Sequence, residues 1–287
     1  MELKTLKYFL AVAREESITR AAAKIPITQP ALSRAIQLLE EELGQKLFKR
    51  EKYSVKLTTA GLELFRDAEE MLFLAHKVES KFKTRGNVYG DIYIGCAESD
   101  AIKYFVHAAK NVQKKYPDVR FNLYSGNIED TYFRLDNGLL DFNITLQNVD
   151  VEKYDSLTLP EADVWGVLLR RDDPLAEKKF FNVEDLSNLP LILSREARRE
   201  EYPKWFGSAF KNFHVVATYN LLYNAAIMVR EGLGYAISID KLINDDELCF
   251  RPLEPELKSE LKFIRRKDRL LTPQAQILFD EMKRLYS

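Results

Sequence analysis

Gln29, Pro30, Ser33, Arg34 and Gln37 fall on one face of a predicted helix, and their shared chemistry is that of reading DNA. Gln29, Ser33 and Arg34 can reach base edges: arginine pairs bidentately with guanine and glutamine with adenine. Pro30 offers apolar surface to a thymine methyl. Leu32, Ile36, Leu39 and Leu43 occupy the opposite face at spacings of 4, 3 and 4, so the helix has a core side and a polar side. Thr28 is its expected N-cap, with Pro30 in the first turn, where a missing N–H removes no intrahelical bond. Upstream, Ser17 opens a shorter helix, Ala21, Ala22 and Ala23 let a neighbour approach closely, and Pro26 ends it. Two short helices joined by a tight turn predict a helix-turn-helix whose second helix enters a major groove. The bland alternative for Arg34 is an ion pair with Glu40 or Glu41.

Such a helix must be held from behind. Leu3, Leu6, Phe9, Leu10 and Ala13 recur at helical spacing and predict a first helix beneath the pair. Lys52 to Leu57 alternates as one strand of a β-wing. Lys46, Lys49, Arg50, Lys52 and Lys56 crowd there beside the single acid Glu51. Residues 1–59 carry 11 Lys/Arg against 7 Asp/Glu, while 88–287 carry 27 against 32, so the formal net charge of −1 hides a basic head. A basic cluster on an otherwise acidic chain suits phosphate contact. Thr28, Lys49, Arg50 and Lys52 are the residues suited to that work, which sets register rather than sequence preference. A further helix, capped by Thr58 or Thr59, is expected to run to about Arg85, ended by Gly86 and Asn87. Along it Leu64, Ala68, Met71, Ala75, Val78 and Phe82 form a heptad seam. A seam so narrow must be buried, on its own domain or on a second copy.

Ser17 to Ala22, Thr28 to Arg34, Leu39-Glu40, Leu43-Gly44, Leu47 to Arg50 and Leu57-Thr58-Thr59-Ala60-Gly61 together resemble the LysR-type transcriptional regulators. The resemblance is dense over about the first 61 residues. It implies a winged helix-turn-helix over 1–59, a linker helix over 60–87 that pairs two copies, and an effector-binding domain over 88–287. Tyr53 stands where the family's wing usually has a second arginine.

From Val88 strands and helices alternate, which predicts an α/β domain with a largely parallel sheet. Asp91–Cys96, Val119–Leu123, Phe142–Thr145, Trp165–Leu169, Leu191–Leu193, Val215–Thr218 and Gly234–Ile239 read as strands. Helices are expected at Ile102–Val112, Ile128–Asn137, Leu222–Glu231 and Ala275–Leu285. Tyr116 to Val119, Gly138 to Asp141, Asp173 to Ala176, Asp185-Leu186, Pro190 to Ile192 and Gly232 to Ala236 resemble the family's effector domain, which has the two-lobed fold of periplasmic binding proteins. That implies one lobe of about 90–160 plus 266–287 and another of about 161–265. Asn143, in place of a small apolar residue, and Ile239-Asp240, in place of a proline, depart from the family's pattern.

A ligand belongs in the crevice at the C-terminal ends of the strands. Ser99, Asp100, Ser125, Asn127, Gln147, Ser194, Arg195 and Tyr219 are the candidates. Ser99 at a helix start and Arg195 on the other lobe would grip a small carboxylate, and Asp100 would add an amine contact for an amino acid; Glu98 and Asp100 are themselves anionic, so an amine or a zwitterion is the alternative. No cofactor or metal is expected. Cys96 and Cys249 lack disulfide-scaffold or zinc spacing, and His76, His107 and His214 stand apart from one another. No nucleophile elbow or phosphate loop occurs, which counts against an enzyme. No apolar run is long enough to span a membrane, and the absence of a signal-like N-terminus predicts a cytoplasmic protein. The expected partners are therefore double-stranded DNA, a small-molecule effector and further copies of the chain, as dimer or tetramer. A solute-binding module without specific DNA recognition is the competing possibility.

Overall fold

The computed structural model describes residues 1–51, 54–83, 88–146, 149–195, 197 and 201–287, with the side chains at 50, 80–83, 201 and 204 also outside the described set. It divides into two units, Met1–Arg85 and Gly86–Ser287.

The first unit runs α1 (Leu3–Glu15), α2 (Ile18–Lys24), α3 (Gln29–Leu43), β1 (Phe48–Arg50), β2 (Val55–Leu57) and α4 (Thr59–Lys83). Ser17 Oγ accepts the Arg20 N–H and so caps α2. Thr28 holds the N-cap position of α3, but its side chain makes no capping hydrogen bond. Gly44 ends α3 at φ 64°, the left-handed conformation that glycine adopts without steric cost. Leu6, Phe9, Leu10 and Val12 close over Ala21, Leu32, Ile36, Leu39 and Leu47, all buried. Leu43 departs from expectation at 39% exposed, because it lies in the last turn, beyond the reach of that core. A Cβ at Gly61 would collide with the Leu47 carbonyl oxygen, so only glycine lets α4 pass so close to the chain entering β1. At 1.5 Å per residue α4 is about 38 Å long. Gly86 and Asn87, its expected end, lie outside the described residues.

The second unit begins with β3 (Gly90–Cys96), α5 (Ile102–Lys115), β4 (Val119–Ser125), α6 (Ile128–Asp136) and β5 (Phe142–Thr145). It continues through β6 (Tyr154–Arg170), α7 (Val183–Leu186), β7 (Leu191–Ser194), α8 (Glu201–Phe206), β8 (Val215–Tyr219), α9 (Leu222–Arg230) and β9 (Tyr235–Ile239). It ends with β10 (Leu248–Pro252), β11 (Lys258–Arg266) and α10 (Pro273–Tyr286). Among the described residues the strands form one sheet in the order β4-β3-β5-β11-β6-β9-β7-β8, with β10 on β6. The expected parallel pairing holds at both ends, where β3 lies between β4 and β5 and β7 between β8 and β9. The middle is antiparallel. β6 and β11 run side by side from Lys258↔Val164 to Arg266↔Tyr154, with a register irregularity between Glu260 and Lys262.

Side chains that alternate along these strands feed cores on both faces of the sheet. In one lobe Phe263 joins Ile92, Ile94 and Phe105 beneath α5 and α10, while its neighbour Ile264 joins Leu135 and Leu140 on the α6 face. In the other lobe Leu191 and Leu193 pack with Tyr202 and Phe206, and Ile192 packs with Ala225 and Val229 of α9. Leu261 and Phe263, placed by the sequence in the lobe of 161–265, belong to the core of the first lobe. The change of lobe therefore falls earlier along β11.

Candidate functional site

The polar face of α3 is open. Thr28, Gln29, Pro30 and Arg34 are exposed and Ser33 is half-buried. Among the described residues Arg34 makes no ion pair or hydrogen bond, so the pairing with Glu40 or Glu41 does not form. Glu41 instead accepts from Gln37 Nε2 at 2.9 Å, which engages Gln37 within the helix. Lys49 is exposed on β1, with Glu51 only loosely paired at 3.9 Å. The backbone of Arg50 lies in β1 while its side chain is outside the described set, and Lys52 and Tyr53 lie outside the described residues altogether. Lys56 is occupied by the Glu16 carboxylate at 2.6 Å.

Glu40 holds the wing to α3, a role that its place in a run of glutamates conceals. Its Oε1 accepts the Leu47 N–H at 2.9 Å and the Phe48 N–H at 3.2 Å, and its Oε2 accepts from Lys46 Nζ at 2.7 Å. Burial pushes its pKa up, but the bonds from Lys46, Leu47 and Phe48 more than offset this and hold the carboxyl below its usual value. Glu40→Ala leaves two N–H groups at a buried corner without a protein acceptor. It should lower the stability of this unit by about 1–3 kcal/mol, seen as a lower melting temperature. The wild-type contribution is present above the unfolded pKa of about 4.5 and is lost as pH falls through the lowered folded value. An unchanged melting curve near pH 7 would contradict this role.

The heptad seam divides. Ala68 is fully buried and Leu64 is half-buried, both packed in the core of their own head. Fully buried Ala68 therefore packs within its own chain and not against a partner, because α4 begins against α1, while Leu64 keeps part of its surface exposed. Further along, Met71 is 42% and Val78 53% exposed, with Ala75 half-buried between them. The Phe82 side chain lies outside the described set.

In the second unit a cavity of about 180 Å³ opens between the lobes at the C-terminal ends of the strands. Ser125, Asn127, Ser194 and Tyr219 line it as expected, together with Cys96, Glu98, Thr145, Trp165, Asn220 and Leu242. Ser99, Asp100 and Arg195 do not. Ser99 is buried, donates to Asp163 Oδ1 at 2.9 Å and accepts the Ala101 N–H at 3.0 Å, so its hydroxyl is committed behind the cavity. Asp100 pairs with Lys103 at 2.8 Å. Arg195 points out from an exposed turn. Gln147 lies outside the described residues. Asn127 Oδ1 caps α6 through the Asp130 N–H, and the Tyr219 hydroxyl donates to the Ile237 carbonyl at 2.8 Å. Burial raises the Tyr219 phenol far above its ordinary pKa, so it stays protonated. Burial likewise raises the Cys96 thiol, whose sulfur lies 3.7 Å from Ser125 Oγ.

Two residues outside the candidate set join the lobes. Glu98 follows β3, and its Oε2 accepts the Leu222 N–H of α9 at 2.8 Å across the cleft. Asp163 sits on β6 where it crosses between lobes, 7% exposed, held by Ser99 through one oxygen while the other has no partner. Burial pushes its pKa up to about 6, against the Ser99 hydrogen bond and with help from the Asp100 charge. A folded pKa above the unfolded 3.8 means that the ionised form opposes folding at neutral pH, and that this penalty fades as pH falls from 6 to 3.8. Asp163→Asn keeps an acceptor for Ser99 and should raise stability at pH 7 by on the order of 2 kcal/mol, with no gain below pH 3.8. Parallel pH–melting profiles for the two proteins would contradict this.

Comparison with known proteins bears on both units. Residues 3–62 match the family model described as bacterial regulatory helix-turn-helix protein, lysR family. Residues 85–287 match the LysR substrate binding domain. The chain is 27% identical over 268 residues to the uncharacterized HTH-type transcriptional regulator YvbU of Bacillus subtilis, covering 91% of each. It is 32% identical over 203 residues to the HTH-type transcriptional regulator AlsR of the same organism, covering 69% of this chain and 66% of AlsR. In fold it is similar to full-length CbnR crystallised with its target DNA, at TM-score 0.76 and 21% identity over 99% of each chain.

Proposed function

The chain belongs to the LysR family of bacterial transcriptional regulators, and from that premise we propose how its residues divide the work. Gln29, Pro30, Ser33 and Arg34 read bases from the major groove. Thr28, Lys49, Arg50 and Lys52 contact phosphates, with Gln37 at the edge of the footprint. Domain limits of 1–59, 60–87 and 88–287 follow the same division. Met71, Ala75, Val78 and Phe82 of α4 pair two copies, so that one dimer engages two half-sites, and dimers associate further through the effector domains. The cavity between the lobes receives the small-molecule effector, and closure of the lobes around it changes how the paired heads hold DNA. The family is one of transcriptional regulators, and no catalytic step is assigned to this chain. Among the described residues no helix is long and apolar enough to cross a membrane; a cytoplasmic location is the reading that work on DNA supports.

The observation that carries this assignment is the open polar face of α3, with Arg34 exposed and, among the described residues, unpaired. DNA recovered from cells with the crosslinked full-length protein tests it. Discrete enriched sites are expected, and uniform recovery of the genome would contradict sequence-specific regulation.

A further inference from the structure

We propose that the cleft between the lobes takes a small amine with an apolar body, its ammonium group held by Glu98. This rests on assigning the effector to the cleft, and goes further by naming what the cleft selects. Among the described residues lining the cavity, Glu98 is the one charged side chain; none is Lys, Arg or His. An anion entering this mostly apolar space would join a carboxylate without a countercharge, an arrangement that costs free energy. A cation would neutralise it.

Three helices begin at the ends of the strands around the cleft, and free N–H groups there would ordinarily attract an anion. All three already have partners from within the chain. The first N–H groups of α5 are taken by backbone carbonyls of the turn before it, Ile102 by Ser99, Lys103 by Asp100 and Tyr104 by Ala101. Asn127 caps α6, whose first turn adds Glu129 and Asp130. α9 has no cap from its own N-cap residue, Leu221, and Glu98 of the other lobe fills that place. A carboxylate ligand would have to displace Glu98 from α9 and then lie beside it. For these reasons, of the ligands that the sequence left open, the amine is favoured over the carboxylate.

The remaining walls suit the apolar body. Trp165, Ile144, Leu146, Ile239 and Leu242 offer hydrocarbon and ring surface. The Trp165 indole N–H is already bonded to Ser259 Oγ at 2.8 Å, so that side chain presents its ring rather than a donor. Ser125, Thr145 and Ser194 supply oxygens that can accept from the ammonium's remaining protons.

The test is a thermal-shift titration of the full-length protein near pH 7. The probes are benzylamine, phenethylamine and isoamylamine, set against the alcohols and carboxylates of the same skeletons. E98Q is titrated in parallel, because its amide oxygen can keep the α9 cap while the charge is lost. At least one amine is expected to raise the melting temperature with saturation, with its alcohol weaker and its carboxylate without effect. E98Q should weaken the amine by roughly tenfold to a hundredfold. A carboxylate that stabilises the wild type, an amine response unchanged in E98Q, or no response to any amine would each overturn the proposal. Recovery of discrete DNA sites in cells separates that outcome from failure of the regulator assignment, since it does not depend on the ligand's charge.

Discussion

Met71→Lys or Val78→Lys should convert the protein to a monomer and abolish tight binding to a two-half-site operator. Both side chains are exposed in the single chain although they continue an apolar seam, which is the state of a surface awaiting a partner. In a two-fold pairing, each lysine would be buried against the same apolar surface in the other copy, a costly burial of charge without a counter-ion. Losing the pair removes the intramolecular second binding event, so apparent affinity for the operator should fall by roughly a hundredfold to ten-thousandfold. Ala68→Lys provides the contrast. Ala68 is fully buried within its own head, so that change should unfold the head instead of only separating the copies. Sedimentation, with circular dichroism as the control for folding, distinguishes the two results. An unchanged dimer in Met71→Lys would show that α4 is not the main interface.

Arg34→Ala should cost about 1–3 kcal/mol on the specific site and much less on random DNA, because a bidentate base contact exists only where the base is correct. Lys49→Ala should behave differently. An exposed lysine on the wing neutralises a phosphate, so its loss weakens binding to all sequences alike and flattens the salt dependence by about one unit of slope. Fluorescence anisotropy across a salt series gives both quantities. Equal losses on specific and random duplexes for Arg34→Ala would make it a phosphate contact.

The DNA-reading head was largely legible in the sequence because its determinants are local. The spacing of Leu32, Ile36 and Leu39, the Ser17 cap and the Gly44 stop each act within a turn or two of themselves. The seam was legible as a pattern but not as a division of partners, since only the fold reveals that Ala68 is buried in its own head while Met71 is exposed. The bonds that Glu40 and Glu98 make were not legible for a related reason. Each residue looks like a solvated acid, and each acquires its role from an N–H brought to it by tertiary structure, 124 residues away in the case of Glu98.

The crossing strands were the largest omission. β11, Lys258 to Arg266, is rich in charge, and only its pairing with β5 and β6 buries Leu261 and Phe263. β6 runs through Pro160, a residue that argues against a strand interior when read alone. The positions around the cleft followed from strand ends, so Ser125, Asn127, Ser194 and Tyr219 were found. Ser99 and Arg195 were misplaced because strand-end position does not determine which way a side chain turns. Ser99 turns to Asp163 and Arg195 to solvent.

Selection of bound duplexes from a random pool by the purified full-length protein tests the central claim most directly. A two-headed reader predicts enrichment of two inverted copies of a short motif, their centres separated by about one helical turn or a multiple of it. Enrichment of no sequence, or of a lone motif without a second copy, would contradict it.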